Sequence, residues 1–155
     1  MKTWIAGLAA VAIGIGGVAL AADDGPFAKE IKARQGIMEY RAINIGVLAG
    51  MAKGDVEYNA EAAQKAADAL VMSGEIDTSM LCPAGSDNSA NPVSTASADM
   101  WSATSDVMAK NTDFVDAAKA MQTAASGGVD GVKAALGPLG ASCGGCHKTN
   151  RIPSN

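Results

Sequence analysis

The sequence predicts an all-α protein, an antiparallel four-helix bundle with up-down-up-down connectivity. Four stretches carry apolar residues at three- and four-residue spacing, which is the period of a helix with one buried face. No segment shows the sustained alternation of a half-buried strand, and only 4% of the 155 residues are aromatic. Short links join the first stretch to the second and the third to the fourth, so each pair forms an antiparallel hairpin. Two such hairpins close most simply as a bundle.

The first 21 residues are expected to be a secretory signal peptide rather than part of the fold. Lys2 gives a positive start, residues 4–20 are uncharged and apolar, and residues 19–21 have the small-x-small form of a cleavage site. The alternative is an uncleaved membrane anchor, since the uncharged run is nearly long enough to span a bilayer. We favour cleavage, which predicts a mature domain over residues 22–155, a periplasmic location and no membrane span after processing.

The predicted helices lie between turn signals. A proline suits the first turn of the first helix, Asn59 is a candidate N-cap of the second, and glycines follow the first three helices. Pro138 should kink the fourth helix or split off its first half. A Ser-, Asn- and Pro-rich loop separates the second helix from the third. The expected ranges are 26–52, 59–72, 98–125 and 129–151 for the helices and 77–97 for the loop.

Inward positions of the first helix follow one face and include two arginines and a methionine. They are Ile31, Arg34, Met38, Arg41, Ile45 and Leu48. On the third helix, Trp101, Thr104 and Met108 are expected on the inner side.

The composition excludes several classes of function. The chain has 12 Lys and Arg against 16 Asp and Glu, a net charge of −4, whereas nucleic-acid binding needs a basic surface. A single histidine rules out a His-rich zinc or copper site and a bis-histidine haem. No nucleophile-base pair is visible, so we expect no enzyme activity.

The motif Cys143-Gly144-Gly145-Cys146-His147 carries the chemistry. In an exported protein, C-x-x-C-H indicates covalent attachment of one haem c. Positions i, i+3 and i+4 share a helix face, so two thiols can bond the porphyrin edge while the adjacent imidazole lies beneath the iron.

Three alternatives compete with haem attachment. A thioredoxin-like redox pair also uses C-x-x-C, but it requires a βαβ context that is missing here. A structural zinc could use Cys82, Cys143, Cys146 and His147, although adjacent cysteine and histidine ligands bind one tetrahedral ion awkwardly. A plain Cys143–Cys146 disulfide would leave the neighbouring histidine without a role.

The sixth iron position would be Met, Lys, water or empty, because no second histidine exists. Met38 is the preferred residue, since it lies on the inner face of the first helix. Periodicity alone favours core packing for Met38, because methionine is a common gap filler.

The sequence resembles the class II cytochromes c, the cytochrome c′ family. The resemblance covers about residues 27–151 and rests on the attachment motif near the C-terminus, on Arg34-Gln35 with Met38 four residues after the arginine, and on the segment 81–85. It implies a haem inside a four-helix bundle, with Cys143 and Cys146 as thioether anchors and His147 as an exposed proximal ligand.

Other site roles also come from this resemblance. Arg34 and Gln35 would lie against the haem, with the guanidinium pairing a propionate; without the family, Arg34 reads as a solvated surface charge. Met38 falls on the distal side, as a ligand in low-spin members and a steric lid in five-coordinate members.

Cys82 departs from the family pattern, in which an aromatic residue is usual at this position. It is expected to be a buried thiol; an intermolecular disulfide or a reactive surface thiol is the alternative.

Two functions from different classes follow from this reading. The first is one-electron transfer to periplasmic redox proteins, whose basic docking patches would suit an acidic surface. The alternative is a five-coordinate haem protein that binds NO or CO for scavenging or sensing; a structural role for the haem is a distant third. The resemblance also implies a homodimer through the first two helices.

Overall fold

The computed structural model describes residues 25–153 and contains four α-helices. They are α1 (Ala28–Lys53), α2 (Ala60–Gly74), α3 (Val107–Ala125) and α4 (Val129–Asn150), with 3₁₀ turns at Ser79–Leu81 and Ala98–Trp101. Within these residues the only β pairing is an isolated bridge between Ala96 and Arg151. The predicted all-α four-helix bundle is therefore confirmed. The expected signal peptide, 1–21, lies outside the described residues.

Two helix ends follow the predicted turn chemistry, whereas Pro26 lies before α1 and Gly74, expected to follow α2, is its last residue. Asn59 caps α2, because its side chain accepts a hydrogen bond from the Ala62 N–H at 2.9 Å. Gly54 ends α1 in the left-handed region (φ 81°), and its N–H bonds to the carbonyls of Gly50 and Met51.

The third helix starts nine residues later than predicted. Ala98–Trp101 is a separate 3₁₀ turn, and Ser102 after it is extended (ψ 157°). The Ser97 hydroxyl accepts from the Asp99 N–H at 3.2 Å, and the Ser102 hydroxyl donates to the Asp99 carbonyl at 2.9 Å. Such short side-chain bonds compete with helical backbone bonds. The prediction that Trp101 and Thr104 belong to α3 is therefore wrong, and Met108, expected on its inner side, is 78% exposed.

Pro138 lies inside α4 without dividing it. The helix runs unbroken from Val129 to Asn150, so the expectation that the proline could split off its first half is wrong. The Ala134 residue, whose carbonyl loses its intrahelical partner, is exposed and open to solvent.

The hydrophobic core lies toward the end of the bundle formed by the α1–α2 and α3–α4 turns, which we call the closed end. Its fully buried members are small or aliphatic side chains from all four helices, including Leu48, Ala63, Ala67, Leu70, Ala118, Met121, Ala125, Val132 and Leu139. We call the opposite end, which holds residues 143–147, the attachment end. None of the described helices is both long and apolar enough to cross a bilayer.

Candidate haem site

The attachment motif forms the last turns of α4. Cys143 and Cys146 are half-buried and free, and His147 is exposed. Cys143 packs against the hydrophobic core, and the two following positions of the motif lie one turn further on the same face of the helix. The thiols are therefore not joined in the disulfide considered from the sequence. The zinc alternative also lacks support, since within residues 25–153 no three His, Cys, Asp or Glu side chains could hold one metal ion.

The electrostatics of the motif favour a neutral His147 imidazole and a neutral Cys146 thiol. Partial burial lowers the pKa of His147, and the positive charges of Arg151 and Arg41 lower it further. Burial raises the pKa of Cys146, with a further rise from Asp106. At neutral pH the imidazole thus keeps the lone pair that binds a metal.

Met38 lies on α1, on the same helix face as Arg34 and Arg41. Its side chain is 45% exposed and is not a member of the core cluster of described residues. The core-packing interpretation of Met38 is therefore wrong. The thioether is accessible instead.

Arg34 holds the loop that closes the attachment end. Its Nη1 donates to the Leu81 carbonyl at 2.5 Å and to Ser86 Oγ at 2.8 Å, and its Nη2 donates to the Ser86 carbonyl at 2.8 Å. The guanidinium also lies 5.7 Å from the ring centroid of Trp101. Arg34 is thus not a solvated surface charge. Its pairing with a propionate stays a prediction.

The neighbouring Gln35 makes a similar but more exposed contact. Its Nε2 donates to the Val93 carbonyl at 2.8 Å, on the same loop. Cys82, in this loop, is half-buried, and its carbonyl accepts from Trp101 Nε1 at 3.0 Å. Two consecutive side chains of α1, Arg34 and Gln35, therefore bond to this loop.

The same loop is hydrogen-bonded to the C-terminal end of α4, the helix that carries the attachment motif. The Ser97 N–H donates to the Asn150 carbonyl at 3.0 Å, and the Ile152 N–H donates to the Thr95 carbonyl at 2.8 Å. The Asn150 side chain donates to Asp106 Oδ1 at 3.2 Å. These contacts fix the turn of α4 that carries His147. The sequence showed a polar loop but gave no signal for its partners.

Arg41 is a further residue of this region that sequence reasoning did not single out as functional. Its Nε donates to Ser73 Oγ at 3.0 Å and its Nη2 to the Ser73 carbonyl at 2.8 Å. Its guanidinium lies 4.1 Å from the ring centroid of Phe114. The available signal was a charged residue within the inward stripe of the first helix.

Comparison with known proteins identifies the family. The sequence profile of the family described as Cytochrome C′ matches residues 29–151. The chain belongs to the cytochrome c′ family. It is 36% identical over 133 residues to cytochrome c-554 of Cereibacter sphaeroides, covering 86% of this chain and 87% of the relative.

Solved cytochrome c′ structures share the fold. The cytochrome c′ of Rhodobacter spheriodes superposes with a TM-score of 0.79 at 32% identity, covering 83% of this chain and 98% of that one. A second is described as a cytochrome c′ with an unusual ligand-controlled dimer dissociation; it has a TM-score of 0.70 at 25% identity, covering 81% of this chain and 95% of that one.

Cytochromes c′ bind covalently attached haem c, which is accordingly the cofactor of this chain. The side chains at the attachment end fit that group. Two free thiols and an imidazole share one face of α4, and an accessible thioether lies on α1. A Cβ added to Gly144 would meet no heavy atom within 4 Å, so the helix surface between the thiols is open.

Proposed function

We propose that this cytochrome is an exported, periplasmic one-electron carrier. In this proposal Cys143 and Cys146 form the thioether bonds, His147 is the proximal iron ligand and Met38 is the sixth ligand. The exposure of Met38 carries the proposal. A thioether on the inward stripe of α1 that is 45% exposed is available to bind iron, whereas a core methionine is not.

The haem supplies an iron that alternates between the ferric and ferrous states. His147 and Met38 would hold it as two uncharged ligands. The lowered pKa of His147 keeps that imidazole neutral, so neither ligand needs to lose a proton to bind. The loop contacts of Asn150 fix the helix turn beneath the iron. A fixed ligand geometry limits structural change between the two redox states, which suits an electron carrier rather than an enzyme.

Arg34 and Gln35 border the haem at its loop end in this proposal. Arg34 Nη1 and Nη2 hold the loop at Leu81 and Ser86. The guanidinium brings a positive charge to the end where the propionates would lie. A net charge of −4 favours redox partners with a basic docking patch. Lys2 followed by the uncharged, apolar residues 4–20 supports export.

The second candidate function is binding of NO or CO at a five-coordinate iron. In that case Met38 covers the distal side without bonding the iron. The dimer dissociation of one family member is described as ligand-controlled, which supports this candidate. The two candidates therefore differ in one bond, between iron and the Met38 sulfur.

The absorption spectrum of the purified haem protein tests the proposal, with and without CO. We expect sharp reduced bands that CO does not change. Met38→Ala should convert them to broad high-spin bands that shift with CO. The matched control is Met108→Ala, since Met108 is 78% exposed at the start of α3 and should leave the spectrum unchanged.

Other outcomes would reject parts of the proposal. Broad, CO-sensitive bands in the unmodified protein would replace electron transfer by gas binding. Absence of haem bands from protein made with a working haem-attachment system would reject haem attachment at Cys143 and Cys146.

We also propose that the protein forms a homodimer through α1 and α2. The outer face of α1 carries Tyr40, Ile43 and Val47, which are 45%, 66% and 37% exposed, and α2 adds Met72 at 60%. Exposed apolar side chains that share one helix face are typical of an interface. The dimer described for one family member supports a second copy as the partner.

A further inference from the structure

Arg41 is a half-buried cation held by neutral groups. Its Nε and Nη2 edge bonds to Ser73, at the end of α2, and its face lies over Phe114 of α3. Three helices thus fix one guanidinium. Because both hydrogen bonds use the same edge, Nη1 lies on the opposite side of the group.

The charge of Arg41 is not neutralised by a carboxylate. Among the ion pairs of residues 25–153, none involves Arg41. Burial lowers its pKa, but an arginine side chain stays protonated in proteins. Holding such a cation away from water without a counter-charge costs free energy. The bundle therefore maintains a permanent positive charge at a half-buried position, with no paired carboxylate among residues 25–153.

This charge lies next to the proposed haem site. Arg41 follows Met38 by three residues, one turn along the same face of α1. Phe114, over which Arg41 stacks, is a member of the core cluster against which Cys143 packs. The positive guanidinium favours the Cys146 thiolate and disfavours the protonated His147 imidazole, so its charge reaches two of the attachment side chains.

We propose that Arg41 raises the reduction potential of the haem iron. The inference rests on the proposed attachment of haem at Cys143 and Cys146. A positive charge destabilises the ferric state more than the ferrous state, which carries one positive charge fewer, and the effect is strong where water is partly excluded. Arg41 is a positioning residue for the redox equilibrium and does not itself bind the iron.

Spectroscopic redox titration of the haem protein tests this. We expect Arg41→Gln to shift the one-electron equilibrium about tenfold toward the ferric form, a fall in potential of about 59 mV. Arg41→Lys keeps the positive charge, so its reduction potential should stay close to that of the wild-type protein. Circular dichroism checks that each variant is folded.

Lys110→Gln is the matched control. Lys110 also acts on Cys146, but two carboxylates lie near its ammonium, Asp113 at 3.7 Å and Asp106 at 3.9 Å. Its charge is therefore already compensated, and its removal should shift the equilibrium much less than removal of Arg41.

The outcomes separate the inference from the function on which it rests. If the Gln and Lys variants of Arg41 shift the potential equally, the residue acts through packing and the inference is overturned. An unchanged potential in Arg41→Gln also overturns it, while haem attachment stands. A wild-type chain that acquires no haem rejects the proposed function instead.

Discussion

The closed end and the attachment end of the bundle are stabilised by different interactions. At the closed end, fully buried alanine, leucine and methionine side chains such as Ala67, Leu48 and Met121 fill the space between the helices. At the attachment end, the fully buried loop residues are polar. Ser86 and Asn91 are both 0% exposed and are bonded to Arg34 and to the Pro26 carbonyl, respectively.

This difference separates apolar packing between helices from hydrogen bonding through a loop. Apolar packing stabilises helices by filling their interface with protein atoms. At the attachment end, Arg34, Gln35 and Asn150 connect their helices through hydrogen bonds with the loop. Leu48 is fully buried at the closed end, whereas Met38 and His147 are exposed near the attachment end, where Ile31 is the buried position of α1.

The largest loss of stability is expected when a fully buried side chain at the closed end is truncated. Met121→Ala removes a fully buried side chain and should lower the free energy of unfolding by about 2–5 kcal/mol, because the cavity cannot collapse completely. The haem spectrum should stay unchanged. Urea denaturation followed by circular dichroism measures the loss. Met108→Ala, on the same helix but exposed, should cost no more than about 0.5 kcal/mol; equal losses in the two variants would contradict the packing comparison.

An intermediate loss in the free energy of unfolding is expected from a substitution at the attachment end. Arg34→Gln removes three partly buried hydrogen bonds to Leu81 and Ser86, and we expect a loss of about 1–3 kcal/mol. Amide hydrogen exchange should accelerate in residues 77–106 more than in the core of α2. Gln35→Ala, which removes one exposed bond to the same loop, is the control and should have a smaller effect. Unchanged exchange in the loop would show that Arg34 does not hold it.

The same difference decides what could be predicted from the sequence. Apolar periodicity and turn residues identified all four helices, and Asn59 was recognised as a cap because N-capping is local chemistry. The attachment motif could be recognised because its three side chains are adjacent in sequence. The start of α3 was predicted wrongly, since Ser97 and Ser102 compete with helical bonds.

Long-range polar contacts gave no sequence signal. Arg41 and Ser73 lie 32 positions apart, and Arg34 and Ser86 lie 52 apart. Nothing in the residue types shows which serine an arginine will reach, because the chain offers several serines of the same chemistry. The cofactor was therefore predictable from the sequence, whereas the hydrogen-bond partners of Arg34 and Arg41 required the structure.

The smallest change in the stability of the folded monomer is expected from substitutions on the outer face of α1. Exposed side chains on this face are assigned to the dimer interface rather than to the haem site. Met38 is exposed toward the haem site in our proposal, whereas Tyr40, Ile43 and Val47 are exposed on the face assigned to the dimer. Ile43→Glu places a charge in that interface and should yield a monomer in sedimentation velocity experiments. Because Ile43 is 66% exposed within the monomer, the free energy of unfolding of the monomer should change by no more than about 0.5 kcal/mol.

The matched control for this substitution is Val56→Glu, at a residue that is 54% exposed beyond the end of α1. It introduces the same charge outside the proposed interface and should leave the dimer intact. If both variants dissociate, net charge rather than the α1 face governs assembly. If neither dissociates, or if the wild-type chain is monomeric, the outer face of α1 is not a dimer interface. An unchanged haem spectrum in Ile43→Glu would separate this outer surface from the exposed inner position at Met38.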